Sequence, residues 1–139
     1  MGEGGNERRW AMNVSIGKYI YQALSAITGL QVCPVMNITN TPSPTTPYLV
    51  YQRTSIEPKY TKDLFTGEVT HNYSITVVDD EYDKTIVLAQ LAINALMALS
   101  HTNKEDIRFN QVMPTDLSED FQEGLFVQII QIEINTTEI

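Results

Sequence analysis

The chain is poor in the groups that most chemistry requires. A single cysteine, Cys33, excludes an internal disulfide and leaves no zinc set; it reads as a small core residue. There are only two histidines, His71 and His101, and local spacing pairs neither with the cysteine. Basic residues are scarce: nine Lys and Arg against seventeen Asp and Glu leave a net charge of -8. That balance argues against a protein that grips phosphates. Glycine clusters only in the GEGG run at residues 2–5, which no strand precedes, so a phosphate-cradling loop is not expected. No apolar run is long enough to span a bilayer, and the polar N-terminus has no apolar core of the signal-peptide kind. The expectation is a cytoplasmic product with no membrane contact.

What is present is a strand–turn–helix unit from Gly67 to about Ser100. Val69, His71, Tyr73, Ile75 and Val77 alternate with Thr70, Asn72, Ser74 and Thr76, the pattern of a strand with one buried face. Asp79-Asp80-Glu81-Tyr82-Asp83 then changes the period. Lys84 to Leu99 follows as a helix without Gly or Pro. Gln90 and Asn94 are its only polar positions after Ile86, and they form one thin stripe. A helix so nearly apolar all round needs cover on more than one side, from a second helix or another subunit as well as the sheet.

The 139 residues suit one domain, able to bury roughly two-thirds of its chain surface. Residues 1–11 read as a flexible polar arm carrying Trp10, and residues 12–139 as a single α+β domain. Ser15 to Thr28 has helical apolar spacing, with Ser15 as cap and Gly29 as stop. Leu30 to Val35 is a short extended stretch, and Asn37 to Pro47 a Pro/Thr-rich loop. Tyr48 to Ser55 is a strand. Ile56 to Gly67 is a connection whose tip projects and makes a contact through Tyr60, Leu64 and Phe65. Ile107 to Met113 is a short strand, Pro114 to Asp120 an acidic loop, and Gly124 to Asn135 the last strand. Short links between consecutive strands favour antiparallel pairing. The expected fold is an α+β two-layer sandwich: an antiparallel sheet of about four strands with two helices packed on one face.

The chemical candidates are few. His71 lies on the apolar face of its strand and reads as a satisfied core histidine, and His101 as a group at a helix end. Four carboxylates between Asp79 and Asp83 could bind a divalent cation, but capping of the following helix by Asp79 or Asp80 is the expectation. Asp116, Glu119 and Asp120 read as solvated surface. No catalytic, cofactor or metal residue is assigned.

The order of parts carries a resemblance. Pro47, Tyr48 and Tyr51 open one strand; Tyr73, Ile75 and Val77 mark the next; Tyr82 and Asp83 follow in the turn, and Leu88, Ala89, Ala95 and Leu96 in the helix. From Ser15 to Thr136 this is similar to the tail-completion or tail-terminator family of tailed bacteriophages and prophages. Val78 departs from that pattern, where the family has an aromatic-rich strand end, and the arm before Met12 is extra.

The resemblance implies a non-enzymatic virion protein of the tail or neck, assembled in the host cytoplasm. It would form a hexameric ring on the last ring of tail-tube subunits, stop tube growth and face a head-completion or connector protein. DNA would pass through the lumen without specific binding. Trp10, Tyr60, Leu64 and Phe65 become candidate interface residues, and Asp116, Glu119 and Asp120 candidate lumen or surface charges. Two other classes fit the composition: a small cytoplasmic α+β enzyme using His71 or Tyr73, and an acidic binding or inhibitor module with carboxylates gathered on one face.

Overall fold

The computed structural model describes residues 16–34 and 45–139. Helix α1 (Gly17–Ser25) forms because Ile16, Tyr19, Ile20 and Leu24 recur at helical spacing, and all four are buried. Its N-cap is Ile16, without a side-chain cap bond; the expected cap, Ser15, lies outside the described residues. The turn beyond it ends on Gly29, at a φ of +81° that costs glycine little.

Strand β1 (Gln31–Pro34) runs parallel to the first four residues of β2 (Tyr48–Thr61). β2 turns into β3 (Leu64–Asp79), and helix α2 (Tyr82–Met97) follows. A two-residue β4 (Thr102–Asn103) leads to a second hairpin, β5 (Ile107–Gln122) and β6 (Leu125–Glu138). The hairpins join through antiparallel β3 and β6, giving one sheet of order β1-β2-β3-β6-β5-β4.

The expected four-stranded antiparallel sandwich is therefore corrected: the chain forms a six-stranded mixed sheet curled into a half-barrel. Two physical reasons account for this. The parallel β1 and the short β4 add a strand at each edge, and the hairpin strands reach 14 to 16 residues. β-Bulges at Thr54, Asn110 and Thr115, and an irregularity where Thr66 to Glu68 of β3 face Lys59 alone, bend and twist these long strands. The bulges are pinned by side chains. Thr54 and Thr115 donate hydroxyls to the partner-strand carbonyls of Asn72 and Gln131, at 3.1 and 3.3 Å, and Asn110 bonds Asn135 and Thr137.

Register explains the layering. Leu49–Val77, Tyr51–Ile75, Ile75–Ile130 and Tyr73–Ile132 are cross-strand pairs on one face, all buried under the helices. The open face carries Thr70, Asn72, Ser74, Gln131, Glu133 and Asn135; Gln131 bonds Ser74, Asn135 bonds Thr70, and Asn72 reaches Ser55 and Glu57 of β2, both at 2.8 Å. Helix α2 packs across β3, β6 and β5, while α1 touches α2 and β1.

Candidate functional site

The stretch expected to be a connection from Ile56 to Gly67 is strand almost throughout. β2 continues to Thr61 and pairs with β3 across a two-residue turn, Lys62-Asp63, with φ of 48° and 70°. Positive φ at both central residues is the type I′ geometry, whose twist suits a hairpin. β6 has no partner for β3 before Glu68, so the tip extends beyond the sheet as a two-stranded ribbon. Tyr60, Leu64 and Phe65 meet there: Tyr60 and Leu64 are 57% and 54% exposed, and the Tyr60 and Phe65 rings lie 6.0 Å apart. A ribbon of this kind is marginal alone. Thr66, bonded to the Lys59 carbonyl at 2.9 Å, and the 3.7 Å Lys59–Glu68 ion pair brace its base.

The second hairpin turns at the opposite end, because β3 and β6 are antiparallel, and it finishes nearly level with the sheet: β3 pairs β6 as far as Phe126, the second residue of that strand. Its turn, Glu123-Gly124, repeats the same geometry with φ of 52° and 81°. The expected acidic loop is corrected here: Asp116, Glu119 and Asp120 are strand residues of β5 and do not act together. Asp116 and Asp120 pair with Gln131 and Val127 and share the open face; Glu119 pairs with Gln128 and faces the helix. Glu119 accepts hydrogen bonds from the Tyr82 hydroxyl at 2.8 Å and the Gln128 amide at 2.9 Å. Those donors hold its carboxyl below the usual glutamate value, and the same bond raises the Tyr82 hydroxyl. Glu119 thus ties the hairpin to the first turn of α2.

The same hairpin carries apolar groups that sequence reasoning missed. Leu117 and Phe121 are 55% and 57% exposed on the helix-side face. The Phe121 and Phe126 rings lie 4.7 Å apart, tilted by 48°, and Tyr82 meets Phe126 edge-on at 5.5 Å. Their signal was the alternation of β5, which the bulges at Asn110 and Thr115 interrupt. On α2, Ile86, Val87 and Leu91 are exposed on the side that neither the sheet nor α1 covers. Gln90 and Asn94 bond each other at 3.0 Å on that side.

Both sheet edges offer backbone groups. β2 is paired to β1 only as far as Tyr51, and β5 to β4 only at Arg108 and Phe109. Beyond these points, among the described residues, Gln52 to Thr61 and Asn110 to Gln122 are edge strands. Trp10, the fourth expected interface residue, lies outside the described residues.

The residues proposed for enzyme chemistry sit elsewhere. His71 is fully buried, with Nε2 3.2 Å from the Thr136 hydroxyl. Burial, helped by Arg53, pushes its pKa down to about 4. Tyr73 is also buried, and burial raises its hydroxyl. Tyr73 belongs to the buried core cluster, and His71 is buried beside Ile134 of that cluster. The acidic positions occupy both faces of β5 and the β3–α2 corner, so they do not gather as an acidic module requires. At that corner, carboxylate oxygens of Asp79, Asp80 and Glu81 lie within 4.8 Å of one another, a set that could hold a metal. The capping expectation is corrected: the N-cap of α2 is Glu81, with no side-chain cap bond. Among the described residues, no helix is long and apolar enough to cross a membrane.

The chain matches no protein-family model and no curated protein. Solved structures do share its fold. One is a chain from the "Virion of native gene transfer agent (GTA) particle", similar with a TM-score of 0.64 and 15% identity. The match covers 86% of this chain and 92% of that one, so it includes nearly the whole domain.

Proposed function

We propose that this chain is a structural protein of a tailed-phage or phage-like particle, acting as a tail terminator that assembles into a hexameric ring. One observation carries the reading. In a fold shared with a chain of a gene transfer agent virion, each of the two sheet edges combines an unpaired strand segment with exposed apolar side chains, Tyr60 on β2 and Leu117 and Phe121 on β5. Surfaces of that kind suit a heterologous interface, in which one patch meets a different patch on the next copy and the rotation closes a ring. On this reading Tyr60, Leu64 and Phe65 reach the neighbouring subunit, and Trp10 adds a further contact. The tail tube and a head-completion or connector protein bind the two ends of the ring. Asp116 and Asp120, both exposed, contribute negative charge to the ring surface or lumen, past which DNA moves without sticking.

The test is deletion of the gene in its parent phage or prophage, with induced particles viewed by negative-stain electron microscopy. Overlong tails with uncontrolled ends beside filled, tailless heads are expected. Normal virions would sink the reading.

A further inference from the structure

We infer that the corner between β3 and α2 is a binding site for one calcium-sized divalent cation, held by Asp79, Asp80 and Glu81. The inference does not rest on the virion reading. Its first observation is convergence: three consecutive side chains direct carboxylate oxygens to within 4.8 Å of one another. Its second is the state of Asp79. That residue is 2% exposed, and among the described residues its Oδ2 has no hydrogen-bond partner. A buried carboxylate oxygen without a donor is costly, and two further carboxylates beside it raise the cost.

The ordinary explanations of such a cluster do not fit. Capping would bring N–H groups of the first helical turn to these oxygens, yet α2 has no side-chain cap bond. An ion pair would neutralise them, but the described residues place no lysine or arginine against the three. What remains is a ligand that accepts oxygen donors and carries positive charge.

Strand parity explains why Asp79 points inward. It continues the face of Ile75 and Val77, whereas Asp80 and Glu81, past the strand end, are exposed. The site so formed has one buried ligand as its floor and two at its mouth, open to water for the remaining positions. Calcium binds oxygens at about 2.3–2.6 Å, which allows separations up to about 5 Å across the ion; magnesium, at about 2.1 Å, allows about 4.2 Å. Calcium therefore accommodates the set as it stands. The positive end of α2 opposes a cation here, which favours a dissociation constant on the order of 10⁻⁴ M over a tight one.

Calcium chloride titrated calorimetrically into the EDTA-stripped full chain is expected to give one site per chain. At about 10 mM calcium, Tm should rise by roughly 5–10 °C over the EDTA sample. Asp79→Asn should weaken binding at least tenfold and melt in EDTA no lower than the wild type, because an uncompensated buried charge has been removed. Asp80→Asn, at an exposed position that cannot unfold the domain, should weaken binding several-fold and serves if Asp79→Asn does not fold. Absence of binding heat and of a Tm shift up to 10 mM calcium overturns the site. So does wild-type affinity in both variants, since the ion would then be held by other carboxylates.

Discussion

The two long hairpins use one backbone device for different ends. Each closes on a two-residue turn with both central φ angles positive, but the first overhangs the sheet, from Leu64 to Gly67, while the second ends nearly level with it. They differ also in what stands behind the tip. The second hairpin rests on its own domain through the Tyr82–Glu119 bond and the rings of Phe121, Phe126 and Tyr82. The first is held by the Tyr60–Phe65 ring pair, the Thr66 bond and an exposed ion pair, and Asn135 of β6 reaches Glu68 at its base at 3.0 Å. Identical turns can therefore present one arm that is already docked and one whose apolar tip still lacks a partner. Docking, not turn geometry, separates the two.

The comparison breaks most completely if the hairpins are uncoupled at their seam. Ile75 and Ile130 face each other across β3 and β6, both fully buried. Ile75→Ala should cost about 2–5 kcal/mol in urea unfolding, with both hairpins lost in one transition. A first hairpin that unfolds separately would show that the seam does not couple them.

Acid should reach the first hairpin before the second. His71 lies in β3, and its folded pKa, about 4, is below the unfolded value of 6.5. The unfolded chain then takes up the proton first, so stability is full above about pH 6.5 and falls as the pH drops toward 4. The loss should be about 2 kcal/mol by pH 5, and His71→Leu should flatten it over that range. Glu119 loses its contribution in the same direction but at lower pH. Its folded pKa is depressed below 4.5, so its contribution is present above that value and is lost only as the pH falls through the lower folded one. A carboxyl NMR titration should place its midpoint below that of an ordinary glutamate, with Tyr82→Phe moving it back up.

The turns test whether the device is truly shared. Asp63 and Gly124 occupy equivalent second positions, at φ of 70° and 81°. Asp63→Gly should stabilise by about 1 kcal/mol, and Gly124→Asp should destabilise by a similar amount in thermal melts. Substitutions at the tips should change monomer stability least. Tyr60→Ser with Leu64→Ser should stay within about 0.5 kcal/mol of the wild type, yet abolish assembly in size-exclusion light scattering. Phe121→Ser should instead destabilise the monomer measurably.

Much of the framework is legible in the residues, because burial and periodicity coincide there. The alternation from Val69 to Val77 marks β3, and the apolar run before Met97 marks α2, displaced by two residues from its expected bounds. Legibility fails where a bulge breaks the period. Thr54 interrupts β2 and the β3 register slips opposite Lys59, while Pro58 with a Lys-Asp turn reads as a linker when no Asn-Gly announces a hairpin. Asn110 and Thr115 do the same in β5, so that a strand containing Pro114 looks like an acidic loop. The interface candidates at Tyr60, Leu64 and Phe65 were visible as apolar residues out of place. Leu117 and Phe121 were hidden, because their face depends on a register that only the paired strand defines. Asp79 was misread for a related reason: composition favours a cap, and strand parity sends the side chain inward.

The antiparallel seam between β3 and β6 has a mechanical meaning. Its tips lie at opposite ends, so a pull applied to both hairpins draws the two strands past each other along their length. The backbone hydrogen bonds stand perpendicular to that motion, and the twelve registered positions from Glu68–Thr137 to Asp79–Phe126 are loaded together, in shear. Pulling the same strands apart from one end would open them pair by pair, as a zip opens. The fold thus offers its stiffest direction along the line joining its two free ends, where tension between two attached structures would act.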